Sequence, residues 1–263
     1  MEIVPIVAAK GSVGVTTAAL TLAAVWPEGR GAPVVVECDP GGGDVAARFG
    51  LEVIPGVVSL AAELERSGPA DPAESGDQVG GHTQELPGGL RVLVAPTSPE
   101  EMRLPLERLA EDLPRLALGE WDLIVDCGRL EASAMRQRTA VLRLIQRCGL
   151  MVVVVRPELA ALQHLNVWLP TLRSLDVEVL ALLSGRGPYS SEEIASTMDL
   201  RVIGVLPHDP AAADVVGGAS GSRPDRSALF RAARPASAAI AGVLVRSDSA
   251  PVAPTPVAEE AVP

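Results

Sequence analysis

The chain has 263 residues, a formal net charge of −11 at pH 7, 48% apolar residues and only 2% aromatic residues. That length is compatible with one large α/β domain, and its core must be aliphatic. The acidic balance argues against non-specific DNA binding, which depends on cations that neutralise phosphates.

The first element is the apolar run Ile3-Val4-Pro5-Ile6-Val7-Ala8, read as a strand over 2–8. Lys10-Gly11-Ser12-Val13-Gly14-Val15-Thr16-Thr17 follows, and then a helix over 16–25. Strand, glycine-bearing turn and helix start together make the layout in which backbone N–H groups cradle phosphates. Lys10 is the only lysine, against 21 arginines. A lysine kept in such a background points to a task for a compact, flexible charge rather than a planar fork. The second strand, over 33–38, ends in Glu37-Cys38-Asp39-Pro40-Gly41-Gly42-Gly43-Asp44. Residues 67–89, rich in Gly, Pro, Asp and Ser, read as a surface loop. A strand over 90–95 and a helix over 99–116 come next. Trp121-Asp122-Leu123-Ile124-Val125-Asp126 is an apolar strand ending in a carboxylate, followed by a helix over 131–147. Strands over 150–155, 177–183 and 202–206 and helices over 158–173 and 226–246 complete the pattern. The strands are Val/Ile/Leu runs without polar alternation, as expected where both faces are buried. Their alternation with helices predicts a three-layer, doubly wound, mainly parallel sheet with ligands at the carboxyl ends of its strands. Lys10, Asp39, Asp126 and Pro207 each fall just after a strand, which places them along one edge.

These segments resemble the ParA/MinD family of P-loop ATPases, whose deviant Walker A loop reads K-G-G-x-G-K-[ST]-[ST]. Lys10 falls on the family's extra N-terminal lysine, Gly11 and Gly14 on its glycines, and Thr16 on its magnesium-binding hydroxyl. Ser12 replaces a glycine, and Val15 stands where the general P-loop lysine should be. Asp39 falls on the switch I aspartate that lies near the magnesium and the attacking water in relatives. Asp126 falls on the Walker B carboxylate, which holds magnesium through water. Cys127-Gly128-Arg129-Leu130 departs from the usual switch II. Ile203-Gly204-Val205-Leu206-Pro207-His208-Asp209-Pro210 resembles the strand and loop near the adenine, and Ser184 replaces the asparagine that reads that base. The resemblance spans residues 1–246 and implies ATP and Mg2+ as cofactors. The nucleotide-binding set it implies is Lys10, Gly11, Ser12, Val13, Gly14, Val15, Thr16, Thr17, Ser184, Pro207, His208 and Asp209. Thr16 and Asp126 form the metal set, and Lys10 and Asp39 are the catalytic candidates. Family dimers place the N-terminal lysine across the interface onto the partner's phosphates, so a homodimer is implied as well.

The loss of a cation at Val15, with the altered switch II and Ser184, leads to the expectation of a degenerate, weak or non-hydrolysing member, a pseudo-ATPase. Such a protein would act through a protein partner, as a scaffold or polar landmark for a membrane machine such as a Tad/Flp-type pilus secretion system. TadZ/CpaE-like and septum-site-determining-like branches are the nearest in kind. The alternative is an active nucleotide-switch ATPase in chromosome or plasmid partition or in septum-site placement; the retained Lys10, Thr16, Asp39 and Asp126 favour residual nucleotide binding.

Residues 129–147 carry five arginines against Glu131, a net +4, with Arg136, Arg143 and Arg147 at helical spacing on one face. They are the candidate docking face for an acidic partner, against the plainer reading of a solvated helix flank. The tail 247–263 is acidic, Pro-rich and expected to be disordered. Met1 runs straight into a strand, leaving no signal peptide, and no apolar run reaches the about 20 residues that a membrane span requires. A cytoplasmic location without direct membrane insertion is therefore expected. Cys38, Cys127 and Cys148 show no paired spacing and read as small buried thiols, and His82, His164 and His208 show no zinc-ligand spacing.

Overall fold

The computed structural model describes residues 2–11, 13–67, 77–116, 120–131, 139–216 and 227–248. Among the described residues the eight strands are β1 (Ile3–Ala8), β2 (Ala32–Glu37), β3 (Gln84–Glu85), β4 (Arg91–Leu93), β5 (Trp121–Arg129), β6 (Leu150–Val155), β7 (Glu178–Ser184) and β8 (Arg201–Leu206). They form one sheet in the order β3-β4-β2-β5-β1-β6-β7-β8, parallel throughout except for the β3–β4 pair at one edge. The helices are α1 (Val15–Ala24), α2 (Val45–Phe49), α3 (Val57–Ser67), α4 (Pro99–Leu116), α5 (Ala140–Gln146), α6 (Leu159–Arg173), α7 (Ser191–Met198), α8 (Pro210–Val216) and α9 (Ala228–Asp248). The order of parallel strands and the helical layers on both faces make a three-layer, doubly wound α/β fold, as expected from the sequence.

Every residue of β1 and of β6 is buried, which is why neither alternates in polarity. Successive residues point to opposite faces. Ile3, Val7, Val34, Val36, Leu123 and Val125 join one core with Leu60 and Leu64 of α3, Met102 and Leu109 of α4 and Leu165 of α6. Val4, Ile6, Val35, Ile124 and Val152 join the other, with Leu20 and Leu22 of α1 and with α9. In α9 the buried positions include Leu229, Ala233, Ile240, Val243 and Leu244, which recur at helical spacing and face the core. Its segment Ala228–Val245 is, by length and a mean hydropathy of 1.3, apolar enough to cross a membrane. Half of that segment is buried inside the fold, where it packs on β8 and α1.

The structure departs from the sequence reading in four places, the first being β3, which falls within the surface loop expected over 67–89. Helices α2, α3, α7 and α8 were not expected; α3 shows Val57, Leu60, Ala61 and Leu64 buried at helical spacing. β5 continues to Arg129 instead of ending at Asp126, because Ala8 pairs with Arg129 and the Leu130 N–H donates to the Ala8 carbonyl at 2.9 Å. The helix expected over 131–147 begins, among the described residues, at Ala140 behind an extended Thr139. Arg136 and the tail beyond Asp248 lie outside the described residues.

Two polar clusters away from the strand ends serve the fold. Ser59 Oγ lies 2.8 Å from His82 Nδ1, and His82 Nε2 lies 2.8 Å from Glu63 Oε2, the outline of a Ser-His-acid chain. Ser59 Oγ also accepts the Gly56 N–H at 2.9 Å, so the chain fastens the turn at 80–82 to the start of α3. Asp122, 1% exposed, accepts the Trp26 indole N–H and the Glu2 backbone N–H, each at 2.9 Å, and faces Arg30 at 3.5 Å. Asp122→Ala strands these donors and the guanidinium, and is expected to cost about 2 kcal/mol, read as a lower urea midpoint at unchanged slope.

Candidate functional site

The carboxyl ends of β1, β2 and β5 bring the loop and its acids together. Gly14 caps α1 in the left-handed region (φ 85°, ψ 43°), a conformation that favours glycine, and so lets the chain turn from the loop into the helix. Val15 opens α1 with 9% exposure and belongs to the core that includes Val13, Ala18 and Ala19. The position expected to carry a cation is thus apolar and packed inward. Lys10 is exposed at the outer end of the loop, and Gly11 is half-buried. Ser12 lies outside the described residues.

Asp126, 2% exposed, accepts the Gly128 N–H at 3.0 Å, and the Thr16 hydroxyl lies close enough to favour its ionised form. Burial pushes its carboxyl up to about 6, the Thr16 hydroxyl and the Gly128 N–H oppose the shift, and the nearby Asp39 and Glu37 charges add to it. The structure thus brings Thr16 near Asp126, the two residues that the resemblance implies as the metal set. Asp39 accepts the Gly41 N–H at 2.7 Å, and its carboxyl is likewise raised, mainly by burial, with the Arg129 charge acting in the opposite sense. Gly128 has φ 60°, and a Cβ built there would stand 2.0 Å from the Asp39 carboxyl carbon. The segments around Asp39 and Gly128 therefore touch at this glycine, and no side chain fits there.

Glu37 has a role that the sequence reading did not assign. Its Oε1 accepts the N–H groups of Asp44 (2.8 Å) and Val45 (2.9 Å), and its Oε2 accepts that of Ala95 (2.9 Å). Gly43 adds a bond to the Pro96 carbonyl at 2.8 Å. The loop at 43–45 is thereby fastened to the residues that follow β4. Burial raises the Glu37 carboxyl, against the pull of the three N–H donors.

On the other side of the loop is a cavity of about 410 Å³ whose lining includes Val13, Gly14, Thr17, Ser184, Pro207 and His208. Its size suits a base with its sugar. Ser184 donates to the Val13 carbonyl at 2.8 Å, so its hydroxyl hydrogen is committed to the loop. Asp209 also borders the cavity, but its carboxylate caps α8 by accepting the Ala212 N–H at 3.1 Å. Arg156, Glu158 and Arg186 line the cavity too, and no motif had pointed to them.

The residues therefore fit magnesium at Thr16 and Asp126 and a nucleoside in the cavity, while the phosphate loop lacks a cation at Val15. Among the described residues no three His, Cys, Asp or Glu side chains converge as a metal cage. A magnesium site of the nucleotide type takes only one or two protein ligands beside phosphate and water. Arg143 and Arg147 of the candidate docking face turn onto α4, Arg143 pairing with Glu107 and Arg147 donating to the Glu111 carbonyl at 2.5 Å. Cys38, Cys127 and Cys148 are free and buried.

No protein-family model matches the chain. No curated protein sequence matches it either. Solved structures do match, over nearly the full length of both partners. The cell division ATPase MinD of Pyrococcus furiosus is similar with a TM-score of 0.67 and 20% identity, over 92% of this chain and 99% of that one. The MinD septum site-determining protein of Pyrococcus horikoshii, solved with Mg-ADP, gives 0.67 and 18% over 95% and 99%. A ParA family ATPase from Chlorobium tepidum gives 0.67 and 16% over 90% and 98%. At such identities the likeness is one of fold.

Proposed function

We propose that the chain is a degenerate relative of the MinD/ParA ATPases that binds Mg-ATP weakly, hydrolyses it slowly or not at all, and acts as a positional scaffold. The observation that carries this reading is Val15, apolar and packed into the core at the one loop position where phosphoryl transfer needs a cation. The fastening of switch I by Glu37 supports it, since a loop held by a buried carboxylate is poorly suited to cycling. When bound, ATP supplies the phosphate charge that switch loops sense. Thr16 and Asp126 would hold its magnesium, and the cavity beside Ser184 and Pro207 its base. A homodimer and a protein partner belong to the same reading, with the exposed Lys10 available to a second copy. A membrane machine of the Tad/Flp pilus kind is the partner class we favour, with the TadZ/CpaE-like branch as the closest analogy. The second reading, an active switch in partition or septum placement, draws on the neighbouring Thr16 and Asp126.

ATP turnover by the purified protein is expected at background. Val15→Lys is expected to tighten Mg-ATP binding about tenfold or more, the worth of one charge-assisted hydrogen bond to phosphate. Isothermal calorimetry and a phosphate-release assay check both. Turnover by the wild type well above a protein-free blank would favour the active switch.

A further inference from the structure

We infer that Arg129 is the cation that meets the outer phosphates at this site, in place of the residue missing from the start of α1. The inference rests on the nucleotide reading above and adds the identity of the charge that makes it workable. β5 runs on past Asp126 because Ala8 pairs with Arg129, and the Leu130 N–H closes onto the Ala8 carbonyl at 2.9 Å. This extension sets Arg129 beside the first residues of the phosphate loop. A Cβ built on Gly11 would stand 3.5 Å from Arg129 Cδ and 3.8 Å from its Nη1, so the side chain lies across the loop. Its charge also reaches Asp39, favouring the ionised carboxylate there.

The guanidinium is exposed, and among the described residues no hydrogen bond or ion pair holds it, so its donors are available. The start of α1 supplies no cation, since Val15 is apolar and packed with Val13 and Ala18, and Lys10, exposed like Arg129, is the one other cation within residues 10–17. A guanidinium is permanently charged and presents a planar fork that matches phosphate oxygens two at a time. It can therefore bind a terminal phosphate from the switch II side without the helix-borne ammonium. A residue in that position binds charge but sits on a different element from the missing lysine, so the outer phosphates can be held while hydrolysis stays slow.

The test uses the full chain and two probes, inorganic tripolyphosphate and Mg-ATP, with AMP as the ligand lacking the outer phosphates. Calorimetry and thermal-shift measurements are expected to show tripolyphosphate and Mg-ATP binding to the wild type. Arg129→Ala should weaken both by about 10- to 100-fold and leave AMP unchanged. Arg129→Lys should recover part of the loss, and Val15→Lys in the Arg129→Ala background should recover more. Arg66→Ala, which removes an exposed charge on α3 away from the loop, should behave as wild type. Circular dichroism verifies that each variant folds, as an exposed position allows. Tripolyphosphate binding that depends on Arg129 without any binding of ATP would sustain this inference and remove the nucleotide reading. Equal tripolyphosphate affinity in wild type and Arg129→Ala overturns the inference, as does a wild type that binds neither probe.

Discussion

Glu37→Ala is expected to cost about 4 kcal/mol of folding stability, in the range for breaking a buried charged network. Glu37 is 2% exposed, and its two oxygens receive three backbone N–H groups from Asp44, Val45 and Ala95. Alanine leaves those donors without a partner, each at a cost of about 1–3 kcal/mol when buried. It also empties the space under Gly43, where a built Cβ would lie 2.6 Å from Glu37 Oε2. Glu37→Gln separates these effects. Its amide oxygen can still accept from Asp44 and Val45, which share Oε1, while its NH2 group faces the Ala95 N–H, donor to donor. The glutamine variant should therefore lose about half as much. Hydrogen exchange should quicken at the Ala95 amide in both variants, and at Asp44 and Val45 in the alanine variant alone. Equal losses in the two variants would mean that the charge, rather than the hydrogen-bond pattern, holds the loop at 43–45.

The parallel sheet was legible because β1, β2, β6 and β7 are continuous aliphatic runs, and a run buried on both faces has few other structures open to it. The strand-end positions of Asp39 and Pro207 follow from such runs, whereas Asp126 lies within β5, which continues to Arg129. Two missed helices had signals that went unused. Val57, Leu60, Ala61 and Leu64 repeat at helical spacing in α3, and Ser190 with Glu193 forms a full capping box at the start of α7. Other features have no local signal. Cys127-Gly128-Arg129 does not read as strand, and it becomes one only through pairing with Ala8 after a register shift between Ile6 and Ala8. The place of Arg129 over Gly11 therefore depends on a contact between segments more than a hundred residues apart in sequence. Helical spacing likewise put Arg143 and Arg147 on one face but could not say what covers it; Glu107 and the Glu111 carbonyl of α4 do. Ser184 stands at the family's base-reading position by alignment, yet its hydroxyl serves the Val13 carbonyl.

Asp126→Asn is expected to stabilise the protein near pH 7 in metal-free buffer, by up to roughly 3 kcal/mol. Burial raises the Asp126 carboxyl from 3.8 to about 6. Between those values the folded state keeps a proton that the unfolded chain has released. The stabilisation from that proton is complete below pH 4 and disappears as the pH rises through 6. A difference of about two pKa units at 1.36 kcal/mol each sets the size of the step. The asparagine oxygen can still accept the Gly128 N–H, and the variant has no proton to lose. Urea unfolding of wild type and variant at pH 4, 5, 6 and 7 isolates the step as the difference between two profiles, in which other titrating groups cancel. A divalent cation beside Asp126 favours the ionised carboxylate. Adding Mg2+ with nucleotide should thus flatten the wild-type profile over this range and leave the slope of the Asp126→Asn profile as it was. Parallel profiles for the two proteins in metal-free buffer would show that Asp126 is already ionised in the fold. A carboxylate that weakens the fold until a cation arrives ties the stability of the sheet to the occupancy of the Thr16–Asp126 pair, which couples a ligand to the scaffold even where turnover is negligible.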